Sequence, residues 1–121
     1  MKENILKVKS FNFAVRIVNL HKYLCDTKKE FVLSKQVLRS GTSVGANVRE
    51  AEHSESKADF IHKMAIAQKE INETLFWLEL MQETEYISKQ EFESIKADAV
   101  EIIKLITSSI KTAKSKLTIN H

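Results

Sequence analysis

Glu50-Ala51-Glu52-His53 is the stretch of this 121-residue chain that comes nearest to a catalytic or metal-binding pattern. A glutamate and a histidine three residues apart share one face of a helix. Di-iron bundles use this Glu-x-x-His spacing twice, with a further glutamate from each of two other helices. Here it occurs once. Glu70, Glu73 and Glu79 follow, but the residue three before His62 is Asp59, so no second copy completes the set. Cys25 is the lone cysteine and falls on an apolar stripe, so it reads as a buried reduced thiol that forms no intramolecular disulfide. His21, on the same stripe, reads as a satisfied core histidine. Gly41 to Gly45 lacks the Gly-Lys-Ser/Thr ending of a phosphate loop. No strand or nucleophile elbow exists to hold an exposed serine. The expectation is a protein with no catalytic residues, no metal and no cofactor.

Binding chemistry is better represented. Lys35, Arg39, Arg49 and His53 fall on one side of a helix, where a cationic row could neutralise successive phosphates. Residues 1–49 carry ten Lys or Arg against three acids, a net of +7, whereas residues 50–101 carry five bases against thirteen acids, a net of −8. Four lysines and no acid follow, among them Lys111, Lys114 and Lys116, giving +3 for the whole chain. Two readings stand. Oppositely charged helices can pair with each other, leaving a solvated face. Alternatively, Arg16, Lys22, Lys35, Arg39 and Arg49 form a surface for RNA or DNA. No aromatic residues interleave with these charges, so contact would run through backbone and shape, with little sequence readout.

Helices must position these residues. The chain has no proline and two glycines, which favours long helices over tight turns. No run of about 18 apolar residues is present, and Met1-Lys2-Glu3-Asn4 begins nothing like a signal peptide. A single domain over residues 1–121, cytoplasmic and without membrane contact, is expected. The apolar period predicts four helices. The first starts at Asn4 or Ser10 and ends near Cys25, with one stripe of Phe11, Ala14, Val18, His21 and Cys25 and a second of Phe13, Ile17, Leu20 and Leu24. The second begins near Leu33. Ser56 with Asp59 signals the start of the third, which runs to about Thr84 with apolar residues on more than one side. Ser88 with Glu91 is a capping box for the fourth, whose tail is expected to fray from Lys111, leaving about residues 114–121 loose. Short connections make this an all-α, antiparallel up-down-up-down bundle. The surplus apolar faces imply association with copies of itself.

The second helix carries three stripes. Val37, Gly41, Val44, Val48 and Ala51 form the core face, and the two glycines predict close approach of a neighbouring helix. Gln36, Ser40, Ser43, Asn47 and Glu50 form a small polar seam beside it, which something else must meet. The basic residues form the third.

The run from Phe31 through Gln36-Val-Leu-Arg39-Ser40-Gly41-Thr-Ser43-Val-Gly45-Ala-Asn47-Val-Arg-Glu50-Ala51, followed by Ala58-Asp59-Phe60-Ile61 and by Lys69-Glu70 through Trp77-Leu-Glu-Leu80, resembles a known family. It is similar to the four-helix-bundle proteins encoded in intervening sequences of bacterial 23S ribosomal RNA. The likeness covers nearly the whole chain. It implies a ring-shaped homopentamer. The family includes the accessory variability protein of diversity-generating retroelements, a basic pentamer that binds nucleic acid and a reverse transcriptase; other members have no established activity. The motif positions carried over are Gln36, Arg39, Ser40, Ser43, Asn47, Glu50, Asp59, Phe60, Glu70 and Trp77. None is catalytic by resemblance, and the charge here is milder than in the retroelement members. The chain is thus expected to be a non-enzymatic oligomeric bundle that binds RNA or DNA, or else a protein-interaction scaffold.

Overall fold

The computed structural model describes residues 4–119, with side chains through residue 117. It contains four helices: α1 (Ile5–Asp26), α2 (Leu33–Glu52), α3 (Lys57–Glu83) and α4 (Lys89–Ile119). No strand occurs among the described residues.

Local chemistry explains most of the boundaries. Asn4 Oδ1 accepts the Lys7 N–H at 3.0 Å, which starts α1 at the earlier of its two expected positions. Ser56 Oγ accepts the Asp59 N–H at 3.1 Å, and the Asp59 carboxylate lies in the first turn of α3, where the helix dipole favours an anion. Ser88 and Glu91 exchange two 3.0 Å hydrogen bonds as a capping box. The start of α2 differs. Its N-cap is Val32, which has no capping oxygen. Glu30 fills the role from outside, its carboxylate accepting the N–H groups of Val32, Leu33 and Ser34 at 3.2, 3.1 and 2.8 Å.

Two expectations about helix extent meet different outcomes. α2 runs unbroken through both glycines. The fraying expected from Lys111 does not occur: α4 is continuous to Ile119, and the last two residues of the expected loose tail lie outside the described residues. With no Gly or Pro after residue 45, the chain has no residue that would end the helix there.

α2 packs between α1 and α3, and α4 closes against α3 and α1. Cross-helix contacts run in opposite chain order. Lys7 meets Glu52 while Cys25 meets Ser34; Glu50 meets Lys63 while Ser40 meets Thr74; Lys9 meets Glu101 while Arg16 meets Asp98. The core collects the stripe Phe13, Ile17, Leu20 and Leu24 of α1 and leaves Phe11 of the other stripe about half exposed. On α3 the buried line is Met64, Ala67, Ile71, Thr74, Leu78 and Met81. Gln68, beside that line, donates to Thr107 of α4 at 3.1 Å. Every buried side-chain nitrogen or oxygen among the described residues has a hydrogen-bond partner.

Candidate functional site

The polar seam of α2 faces α3. Ser40 and Thr74 are both fully buried, and their hydroxyls lie 2.9 Å apart across the two helices. Ser40 donates onward to the Gln36 carbonyl at 2.9 Å, and Thr74 has the Glu70 carbonyl at 2.8 Å as a second acceptor. Beside this pair, the Arg39 guanidinium donates to Glu70 at 3.2 Å, to Glu73, and to the Gln36 side chain. Trp77 Nε1 donates to the same Glu73 carboxylate at 3.0 Å. Lys63 and Glu50 close the far end at 2.8 Å. The Trp77 hydrogen bond, and after it the Arg39 charge, hold the Glu73 carboxyl below the usual glutamate range against the opposing effect of burial. The hydrogen bond and charge of Glu50 hold Lys63 above its ordinary value.

Five of the motif residues, Gln36, Arg39, Ser40, Glu70 and Trp77, therefore belong to one network that joins α2 to α3, and Glu50 joins the same two helices through a separate ion pair with Lys63. Ser43 and Asn47 turn back onto their own helix, donating to the Arg39 and Ser43 carbonyls at 2.7 and 2.9 Å. Asp59 is spent on the start of α3, and Phe60 packs against the core. Of the α3 partners, Lys63 and Thr74 were not singled out by sequence reasoning, and Glu73 was weighed only as a metal ligand. A signal existed, because Glu70, Glu73, Thr74 and Trp77 sit at i, i+3, i+4 and i+7, one face of a helix.

The core face of α2 meets α1 instead. A methyl group at Gly41 would lie 2.8 Å from two side-chain carbons of Ile17, and one at Gly45 would lie 3.1 Å from the Ser10 carbonyl oxygen. Both glycines thus mark close approach to a neighbouring helix, as their spacing predicts.

The five candidate cations do not form one free row. Arg39 is held as described. Arg16 donates to Asp98 at 2.9 Å and to the Ser94 hydroxyl at 2.7 Å on α4. The Arg49 guanidinium lies over the Phe11 ring, 5.5 Å from its centroid. Lys22 and Lys35 are exposed, and neither takes part in an ion pair among the described residues. His21 places Nδ1 3.2 Å from the Ser34 carbonyl oxygen and Nε2 3.6 Å from Cys25 Sγ, consistent with a satisfied, half-buried imidazole. Glu50 is engaged by Lys63 and His53 is exposed, so the single Glu-x-x-His does not gather further ligands. No group of three or more His, Cys, Asp or Glu is placed to hold a metal ion among the described residues.

An open groove of about 600 Å³ lies between the α2–α3 turn and α4, lined in part by Ser54, Ser56, Phe60 and Ser109. Its hydroxyls are occupied locally: Ser54 donates to the Ala51 carbonyl and Ser56 caps α3. The apolar surface is more telling. Ile5, Val8, Phe11 and Val15 run along the outside of α1, each between 41% and 54% exposed. Next to them, Ala14 and Phe11 of α1 with Thr42, Gly45, Ala46 and Arg49 of α2 line a shallow depression. No helix among the described residues is long and apolar enough to cross a membrane.

The comparisons with known proteins agree with this description. A crystal structure of a protein from Bacteroides thetaiotaomicron VPI-5482, described as of unknown function and from the S23 ribosomal protein family, is 61% identical, with a TM-score of 0.87. The match covers 88% of this chain and 99% of that one. No curated protein matches. Residues 2–108 match the sequence model of the family described as 23S rRNA-intervening sequence protein. The α2–α3 network and the glycine contact are built from the residues that carried the resemblance, and the chain belongs to the 23S rRNA-intervening sequence protein family.

Proposed function

We propose that this protein is a non-enzymatic cytoplasmic scaffold: an up-down-up-down four-helix bundle that assembles with copies of itself. The opposite chain order of the cross-helix contacts supports the bundle topology. The observation that carries the assembly is the stripe of Ile5, Val8, Phe11 and Val15, four large apolar side chains in line on one exposed helix face. A single exposed apolar residue needs no explanation, but a continuous stripe marks an interaction surface. The small residues Gly45 and Ala46 beside it leave room for a neighbour's side chains. The family resemblance sets the expected copy number at five. Light scattering of the full chain should give a multiple of 13.9 kDa, and Phe11→Ser with Val15→Ser should shift it toward the monomer. A stable wild-type monomer would sink this reading.

A second reading keeps nucleic acid. Lys22 and Lys35 are exposed and outside every ion pair among the described residues, and assembly would repeat them. Electrostatic binding of RNA or duplex DNA should weaken steeply with added salt, and Lys22→Gln with Lys35→Gln should flatten that dependence. If neither RNA nor DNA is retained at low salt, only the scaffold remains, with a protein such as a reverse transcriptase as the alternative partner.

A further inference from the structure

The turn between α1 and α2 departs from the chemistry of the other two turns. The α2–α3 turn ends on Ser56 and the α3–α4 turn on Ser88, both good N-caps, and the latter buries its Ile87. The α1–α2 turn instead carries Phe31, 57% exposed, and Val32, 71% exposed, the latter at the N-cap position itself. Serine, threonine or aspartate would serve that helix start better than valine. Glu30 supplies the missing capping oxygens, so the helix forms although two large apolar side chains are left in water. Where a sequence breaks a local rule and compensates for it nearby, the residue that breaks the rule commonly has another task.

Charge narrows what that task is. Lys28 and Lys29 precede the apolar pair and Lys35 follows Val32 by one helical turn. All three are exposed, and none takes part in an ion pair among the described residues. The carboxylate within this segment, Glu30, is turned onto backbone N–H groups. We propose that the Phe31–Val32 turn, flanked by Lys28, Lys29 and Lys35, docks on an anionic phospholipid surface. Two adjacent apolar side chains at a turn can enter the headgroup boundary. Lysine stems beside them lie along apolar surface while their ammonium groups meet lipid phosphates. A nucleic acid would use the Phe31 ring and the lysines but give Val32, the more exposed of the pair, nothing to stack on. A contact resting on the surface needs no spanning helix.

Co-sedimentation of the full chain tests this, using vesicles of phosphatidylcholine and phosphatidylglycerol in equal parts against vesicles of phosphatidylcholine alone. Retention is expected on the anionic vesicles only. It should weaken with salt and fall by about tenfold in Phe31→Ser with Val32→Ser. That variant places a good cap at residue 32 and should keep the helical circular dichroism of the parent. Should it fail to fold, Lys28→Gln with Lys29→Gln carries the test, again with a loss of retention expected. No retention on anionic vesicles overturns the proposal, as does equal retention of the folded variants. Binding of single-stranded RNA, or a change in assembly mass on Phe31→Ser with Val32→Ser, without vesicle retention assigns the turn to another partner and also overturns it.

Discussion

The two contacts made by α2 rest on different physics. Toward α1 it presents Gly41 and Gly45, and the two backbones come so close that an added methyl group would press on Ile17 or on the Ser10 carbonyl. Toward α3 it presents Ser40, Arg39 and Glu50, which reach Thr74, Glu70, Glu73 and Lys63 through hydrogen bonds and ion pairs. The first contact depends on shape, with Gly41 buried against Ile17 and Gly45 half-buried against the α1 backbone, and overpacking at the buried end has little room to relax. The second depends on polar pairing, much of it near water, where each partner has alternatives. The glycine side should therefore be the less tolerant of change.

Substitutions can break that comparison, beginning with the largest effect. Gly41→Leu should cost about 3 kcal/mol or more, because the added atoms meet the branched, buried part of Ile17 rather than a flexible tip. Gly41→Ala should cost about 1–2 kcal/mol, the clash exceeding the roughly 0.5–1 kcal/mol of helix propensity gained. Gly45→Ala faces a 3.1 Å contact with one carbonyl oxygen and should lie closer to neutral. Denaturant midpoints at fixed protomer concentration would measure all three, and a Gly41→Ala protein as stable as wild type would undo the argument.

On the polar side, Ser40→Ala should cost about 1 kcal/mol, since the Thr74 hydroxyl can still donate to the Glu70 carbonyl. Ser40→Ala with Thr74→Val should cost less than the two single changes added together, because neither partner is then left without the other. Additive losses would mean that the two hydroxyls are not coupled. Arg39→Gln should cost about 0.5–1 kcal/mol, the range of partly exposed pairs.

The smallest effect is one of pH. A carboxyl whose folded pKa is depressed contributes stability above the ordinary glutamate range and loses it as pH falls through the folded value. Glu73 is such a group, so Trp77 fluorescence should titrate with a midpoint below that of an ordinary glutamate. Glu73→Gln should remove the transition. Arg39→Gln should move the midpoint upward while leaving it low, because the Trp77 hydrogen bond is the larger cause. A midpoint unmoved by either change would separate the fluorescence from this network.

Much of the fold was legible in the sequence. Ser56 and the Ser88–Glu91 pair marked two helix starts through hydrogen bonds that span only three residues, and Asn4, one of two expected starts for α1, caps it in the same way. The start of α2 was placed correctly by its apolar period, but its mechanism was hidden, because Glu30 caps from a position outside the usual pattern. Of the candidate site, the seam residues were legible and their partners were not. Arg39 read as a phosphate contact and is held by two glutamates some thirty residues away, which no spacing within α2 could reveal.

By itself the sequence determined four helices, the caps of the third and fourth, the closeness implied at Gly41 and Gly45, and the family. These follow from periodicity, backbone propensity and short-range hydrogen bonds, all of which act within a few residues. Only the tertiary structure decided which stripe of α1 is buried and which stays outside, and which cations are paired. It also decided that Phe31 and Val32 remain in water. Burial and ion pairing are properties of two surfaces brought together, so either of two apolar stripes, or either of two arginines, acquires its role from the helix packed against it.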